Sequence, residues 1–231
     1  MENPTFRIGF VLFPGLTQLD MTGPYEVLTR LPGAAIHLVW KDLAPVRSDR
    51  GLAIVPTDTF DTCPTLDLIC VPGGPGINDL LTDEETLSFI RHQAWGARYI
   101  TSVCTGALVL GAAGLLQGKR ATTHWMSHDL LAAFGAIPVQ ARVVTDGRLI
   151  TGGGVTAGID FGLAVIAELA GRDLAEAIEL GLEYDPRPPF GTGSPERAGP
   201  ELVARMQAMA ARIQGVRIEQ VRRAAAALEP V

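Results

Sequence analysis

Residues 99–116 read YITSVCTGALVLGAAGLL, and their character changes at the middle. Up to Val103 the side chains are mostly β-branched or aromatic, the types that fit a pleated sheet. Beyond Cys104 they are small or leucine, the types that propagate a helix. A strand therefore runs straight into a helix, with Cys104 at the joint. Ser102 and Gly106 stand two before and two after it, the spacing of small residues in a nucleophile elbow, where a sharp turn leaves no room for bulky flanks. Such a turn is expected to push the central side chain into the open at a helix start, where the helix dipole and free amides favour a negative sulfur. Cysteine is also a common small packing residue. Cys63, in a loop before a proline, and Cys70, inside a strand, read that way.

Working outward from this joint, RIGFVLF (Arg7–Phe13) is a short apolar run stopped by Pro14-Gly15, the pattern of a buried strand. The loop after it leads into DMTGPYEVLTRL, with Thr22 as a candidate cap and Pro24 in the first helical turn. AIHLVW reads as a second strand, VRSDRGLAIVPTDTF as a strand pair turning at Asp49-Arg50-Gly51, and LDLICVPGG as a further buried strand. Residues 83–98 place Leu87, Ile90, Ala94 and Ala97 on one helical side. Residues 126–134 read as a short helix, ARVVTDGRLITGGG as a hairpin around Asp146-Gly147, and 156–170, apolar nearly all round, as a buried helix. Strands and helices alternating on this scale imply an α/β three-layer sandwich, a mainly parallel sheet with helices on both faces.

Residues 184–200, YDPRPPFGTGSPERAGP, are too rich in proline and glycine for regular structure and read as an extended strap. The strap leads to a helical tail over 201–228, whose stripe of Val203, Met206, Met209 and Ile213 is expected to dock on the body or on a second copy. The expectation is a single domain over residues 1–231 that includes this strap and tail.

Composition narrows the function. Of 231 residues, 47% are hydrophobic, enough for a sizeable core. The net charge is −6 and no basic stripe is present, which argues against a nucleic-acid partner. No apolar run reaches the roughly 18 residues of a membrane span, so no membrane is expected. Three cysteines, an odd number in a chain of this size, argue against a disulfide framework and for the cytoplasm.

Ligands of doubly wound sheets gather at the carboxyl ends of the strands, and two further segments lie at such ends. VPGGPG (Val71–Gly76) has consecutive glycines whose amides, with that of Thr105, are able to hold a developing negative charge; a plain tight turn is the alternative. It lacks the residues of a phosphate loop. FPGLTQLDMTGP carries Asp20 among Leu16, Leu19 and Met21, where apolar company favours a protonated carboxyl that can act as acid or base; helix capping is the alternative. His124 and His128 have helical ligand spacing but no third ligand, so no metal is expected.

Together, GFVLFPGLTQLDMTGPYEVL, ICVPGGPG, TSVCTGALVLGAAGLLQGKRATTHW and TGGGVTAGIDFGL resemble the ThiJ/PfpI superfamily of class I glutamine amidotransferase-like proteins, and most of all its isocyanide-hydrating branch. The match runs in order from Arg7 to about residue 195. The resemblance implies a flavodoxin-like sandwich, a homodimer without cofactor, and a small-molecule isocyanide as substrate. It implies Cys104 as nucleophile, Asp20 as its acidic partner, and Gly74 and Thr105 as sources of surrounding amides. It places Gly153, Val155 and Thr156 on a loop and helix start facing the cysteine. Superfamily proteases and deglycases have a histidine after the cysteine and a glutamate near its sulfur; Thr105 and Asp20 here argue against peptidase activity. A glyoxalase- or deglycase-like enzyme and a cysteine-based ligand or redox sensor remain the alternatives. The same motifs resemble the sensor domains of some AraC-type regulators, whose two helix-turn-helix units would not fit in the residues after Pro200.

Overall fold

Short apolar runs become strands, and in a computed structural model describing residues 6–228 most of them join one seven-stranded sheet. In chain order, β1 (Phe6–Val11) and β2 (Ala34–Trp40) pair in parallel. β3 (Val46–Arg47) and β4 (Ala53–Ile54) form a small separate hairpin around the Asp49–Gly51 turn, as expected, and β5 (Asp58–Thr59) closes one edge beside β2. β6 (Leu68–Val71) and β7 (Tyr99–Val103) lie side by side at the centre. β8 (Arg120–Ala121) and β9 (Ile137–Pro138) make a second small pair, and β10 (Val143–Asp146) and β11 (Leu149–Gly152) a hairpin. The sheet order is β10-β11-β7-β6-β1-β2-β5, parallel throughout except at β10–β11. β6 is buried at every residue, which is why it reads as a continuous apolar run rather than an alternating one.

Two groups of helices cover the sheet. α1 (Gln18–Leu28) packs on α5 (Ala157–Ala170), which also holds α6 (Arg172–Gly181) and touches β7, β10 and β11. The second group is α2 (Ile77–Leu80), α3 (Glu84–Gly96), α4 (Gly106–Ala112) and α8 (Pro200–Ala227), with α3 and α4 on β6 and α8 on α2 and α4. A 3-10 segment, Trp125–Phe134, packs between α4 and α8. Ile8, Phe10, Leu68, Ile69 and Val71 from the strands meet Leu108, Leu110 and Phe161 from the helices in the core, all at most 1% exposed.

Several boundaries differ from expectation. Thr17, not Thr22, stands at the start of α1; Thr22 lies one turn inside and donates to Gln18 Oε1 at 2.8 Å. Pro24 is therefore interior to the helix. The second hairpin pairs Asp146 with Leu149, so its turn is Gly147-Arg148, one residue later than read. α5 buries one side only, through Phe161, Gly162, Val165 and Ile166, because it forms an outer layer; Ala167 and Ala170 face solvent. α6 follows directly, joined at Gly171, in a stretch to which no element was assigned. Residues 184–194 have no regular structure, and α7 (Pro195–Ala198) is a single turn before α8. The docked face of α8 is not the expected methionine stripe. Arg217, Val221 and Ala224 are buried, whereas Met206 and Met209 are 40% and 75% exposed.

Candidate active site

Cys104 takes φ 56°, a left-handed conformation that costs a side-chain-bearing residue about 1–2 kcal/mol. Three hydrogen bonds hold it there. Its amide donates to the carbonyls of Gly152 (3.0 Å) and Gly153 (2.8 Å), and its carbonyl accepts from Thr123 Oγ1 at 2.7 Å. The elbow is present, but its steric reason differs from the one read from the flanks. A Cβ on Gly106 would stand 2.0 Å from the Val71 carbonyl oxygen, so the end of β6, not Ser102, demands a glycine. Ser102 is fully buried and its hydroxyl has no hydrogen-bond partner among the described residues.

The sulfur is not in the open. Cys104 is 4% exposed, because segments distant in sequence close over the end of β7: Asp20 on α1, Thr123 beside it, and α8 packed on α4. Asp20 is fully buried and close enough to Cys104 for each group to shift the other's titration. Its Oδ2 accepts from the Gly73 amide at 3.0 Å, while Oδ1 has no hydrogen-bond partner among the described residues. Burial lifts the Asp20 pKa to about 7, against the lowering by Cys104 and the Gly73 amide; the Asp49 charge adds to the rise. Burial likewise pushes the Cys104 thiol well above its usual range, and Asp20 pushes it further. The Thr105 amide and the Arg217 cation pull it down. An unaided low-pKa thiolate, the expectation from the helix start, is thus replaced by a buried pair that competes for a proton.

The other expected residues divide. The Thr105 amide pulls the Cys104 pKa down. The Gly74 amide does not serve as expected, because it is committed to Thr105 Oγ1 at 3.0 Å. A Cβ on the neighbouring Gly73 would lie 2.5 Å from the Thr105 nitrogen and 2.7 Å from Asp20 Oδ2, so this close approach of loop and elbow requires a glycine there too. Gly153 touches Cys104 through its carbonyl. Val155 is half-buried against the core, and Thr156 is exposed, its carbonyl and hydroxyl accepting from Arg142 Nη2 at 3.0 and 3.3 Å. Those two residues shape the start of α5 rather than contact the elbow by hydrogen bonds. His124 caps the 3-10 segment, with Nδ1 accepting from the Met126 amide at 3.3 Å; burial and then Arg217 lower its pKa to about 4, leaving it neutral at pH 7. Among the described residues no group of three or more His, Cys, Asp or Glu gathers around a metal position.

Arg217 escaped the sequence reading. It is buried on α8, its Nε 3.0 Å from Asn78 Oδ1 and its Nη1 3.1 Å from Ser127 Oγ. A signal existed: Arg217, Val221, Ala224 and Leu228 fall on one helical face, so the arginine occupies a position in an apolar stripe. Thr123 had no such signal. A cavity of about 310 Å³ lies between the 3-10 segment and the start of α8, lined by His124, Trp125, Met126, Leu202, Val203 and Met206 among others; Cys104 and Asp20 are not in its lining.

Comparison with known proteins identifies the family. The DJ-1/PfpI family matches residues 6–168. The chain is similar to the isonitrile hydratase of Pseudomonas putida, 60% identical over 222 residues that span 96% of this chain and 97% of that protein. It is similar to a crystal structure of a ThiJ/PfpI family protein from Pseudomonas syringae, with a TM-score of 0.90 and 47% identity, covering 95% of this chain and 90% of that one. It also resembles the HTH-type transcriptional regulator GbdR of Pseudomonas aeruginosa, at 32% identity over 80% of this chain but only 52% of the regulator.

Proposed function

Because the chain belongs to the DJ-1/PfpI family, and aligns with an isonitrile hydratase along almost its whole length, we propose that it is an enzyme that hydrates isonitriles to N-substituted formamides. One structural observation supports the route above others: Asp20, a fully buried carboxyl with its pKa raised to about 7, is held by the Gly73 amide at 3.0 Å where loop and elbow meet, and it and Cys104 shift each other's titration. Such a pair can present a nucleophile and a proton to the same carbon.

The terminal carbon of an isonitrile accepts both. The Cys104 thiolate forms the carbon–sulfur bond while Asp20 delivers its proton to that carbon, giving a thioimidate and an Asp20 carboxylate. Water then adds across the carbon–nitrogen double bond, oxygen to carbon and hydrogen to nitrogen, with the carboxylate relaying the proton. The tetrahedral species expels the sulfur as thiolate, its hydroxyl proton returns to Asp20, and the formamide leaves. Covalent catalysis splits one hard hydration into easier steps.

Purified protein mixed with an alkyl or aryl isonitrile should produce formamide, and Cys104→Ala and Cys104→Ser should not. Equal turnover by wild type and Cys104→Ala would refute the route. Methylglyoxal consumption with no isonitrile turnover would instead favour a deglycase-like enzyme. The regulators' DNA-binding units have no counterpart in residues 200–227, which form one continuous helix.

The same reading includes a homodimer in the cytoplasm. Supporting the dimer are the apolar residues left uncovered on the first half of α8, among them Met206 and Met209, and supporting the compartment are three free cysteines. Among the described residues, no helix is long and apolar enough to cross a membrane.

A further inference from the structure

Arg217 takes no part in the hydration steps above, yet it places a full charge in the interior. Its side chain is buried, and each acceptor it meets is neutral: Asn78 Oδ1, Ser127 Oγ, and the Gly74 carbonyl at 3.5 Å from Nη2. Among the described residues it forms no ion pair. Glu219 on its own helix is engaged with Arg222 and Arg223, Asp79 on α2 and Asp129 on the 3-10 segment are exposed, and α4 carries no charged side chain. A buried cation with only neutral partners is costly unless a negative charge balances it.

The negative charge available is that of the Cys104–Asp20 pair. Sharing one proton, the pair carries one unit of it in either arrangement: thiol with carboxylate, or thiolate with carboxylic acid. Moving the proton from sulfur to oxygen leaves the electron pair on the sulfur and changes nothing else. Burial raises the thiol further than the carboxyl and so favours charge on Asp20; the neighbours act on that balance. The Gly73 amide favours charge on Asp20, and Asp49 opposes it. The Thr105 amide and Arg217 favour charge on the sulfur. His124 is neutral, and Cys70, also near Asp20, remains a thiol.

We propose that Arg217 is a positioning residue that draws the pair's negative charge onto the Cys104 sulfur and so leaves the shared proton on Asp20. This rests on Cys104 as nucleophile and Asp20 as its acid. The last helix then prepares both reactants of the first step at once.

The test is the pH dependence of Cys104 alkylation by iodoacetamide in the full chain, followed by peptide mass with Cys63 and Cys70 as internal controls. Arg217→Gln keeps hydrogen bonds to the neutral partners without the charge, and Arg217→Lys keeps the charge. The expected result is a midpoint raised by about one pH unit or more in Arg217→Gln, a roughly tenfold loss of rate below the midpoint, and a return toward wild type in Arg217→Lys. A wild-type midpoint in Arg217→Gln, or equal displacement in both variants, overturns the proposal. If circular dichroism shows that either variant is unfolded, Asn78→Asp decides. A carboxylate at the Nε partner engages the cation and should raise the midpoint, and an unchanged midpoint overturns the proposal. Isonitrile turnover on the same preparations keeps the two readings apart, since alkylation reports the sulfur whether or not the enzyme hydrates isonitriles.

Discussion

Cys70 and Cys104 lie on and at the end of adjacent strands, and both are buried, yet they are different chemical objects. Cys70 is in regular β6, and burial pushes its thiol to about 12 with only the Thr101 side chain pulling the other way. Cys104 has lost as much water but sits at a strained turn, facing a carboxyl, a backbone amide and a cation. Burial alone makes a thiol inert. A desolvated thiol surrounded by groups able to take its proton and balance its charge is a nucleophile kept away from bulk water.

Several experiments would break or sharpen that contrast. The largest difference is expected in turnover: Cys104→Ala should abolish formamide production, while Cys70→Ala should retain it, as measured by initial rates. Asp20→Asn should slow turnover by roughly 100-fold or more, because the amide cannot carry the proton; a near-normal rate would reduce Asp20 to a packing residue.

Asp20 also sets a pH dependence of stability. Its folded pKa, about 7, lies above the carboxylate value of the unfolded chain, so its contribution is fully present below about pH 4 and is lost as pH rises through 7. The thermal midpoint of Asp20→Asn relative to wild type should therefore improve steadily from pH 4 to pH 8. A pH-independent difference would show that Asp20 titrates normally.

Gly106→Ala forces a methyl against the Val71 carbonyl and should destabilise the fold by roughly 1–3 kcal/mol in urea unfolding, whereas a neutral result would mean that β6 yields easily. The smallest effect concerns the strained turn itself. Cys104→Gly should be about 1 kcal/mol more stable than Cys104→Ala, since glycine adopts positive φ without the Cβ penalty.

What the sequence disclosed about this region follows the range of the forces involved. The joint at Cys104 was legible because a change of side-chain type over five residues is local information. The Asp49–Gly51 and Asp146–Arg148 turns were legible for the same reason, the latter to within one residue. The pairing of Asp20 with Cys104 came through the family resemblance, and the structure supplies its burial. The burial of Cys104 was not legible, because it depends on α1, Thr123 and α8 packing around the elbow, and no local pattern says that these meet. The commitment of the Gly74 amide was hidden likewise, since it depends on which way the Thr105 hydroxyl turns. Arg217 lies 139 residues from Asn78, its hydrogen-bond partner, and only its place in an apolar stripe marked it as unusual. α6 was legible in principle, because Leu174, Ala175, Ile178 and Leu182 recur at helical spacing on the side that packs on the core.

The position of α8 in chain order has a consequence for biosynthesis. A ribosome making this protein releases β7 and its cysteine long before residue 217 exists. Until α8 emerges and docks, the growing polypeptide lacks both the helix that packs on α4 and the buried cation that reaches the Gly74 carbonyl. The sheet can form first, and the reactive centre is finished last.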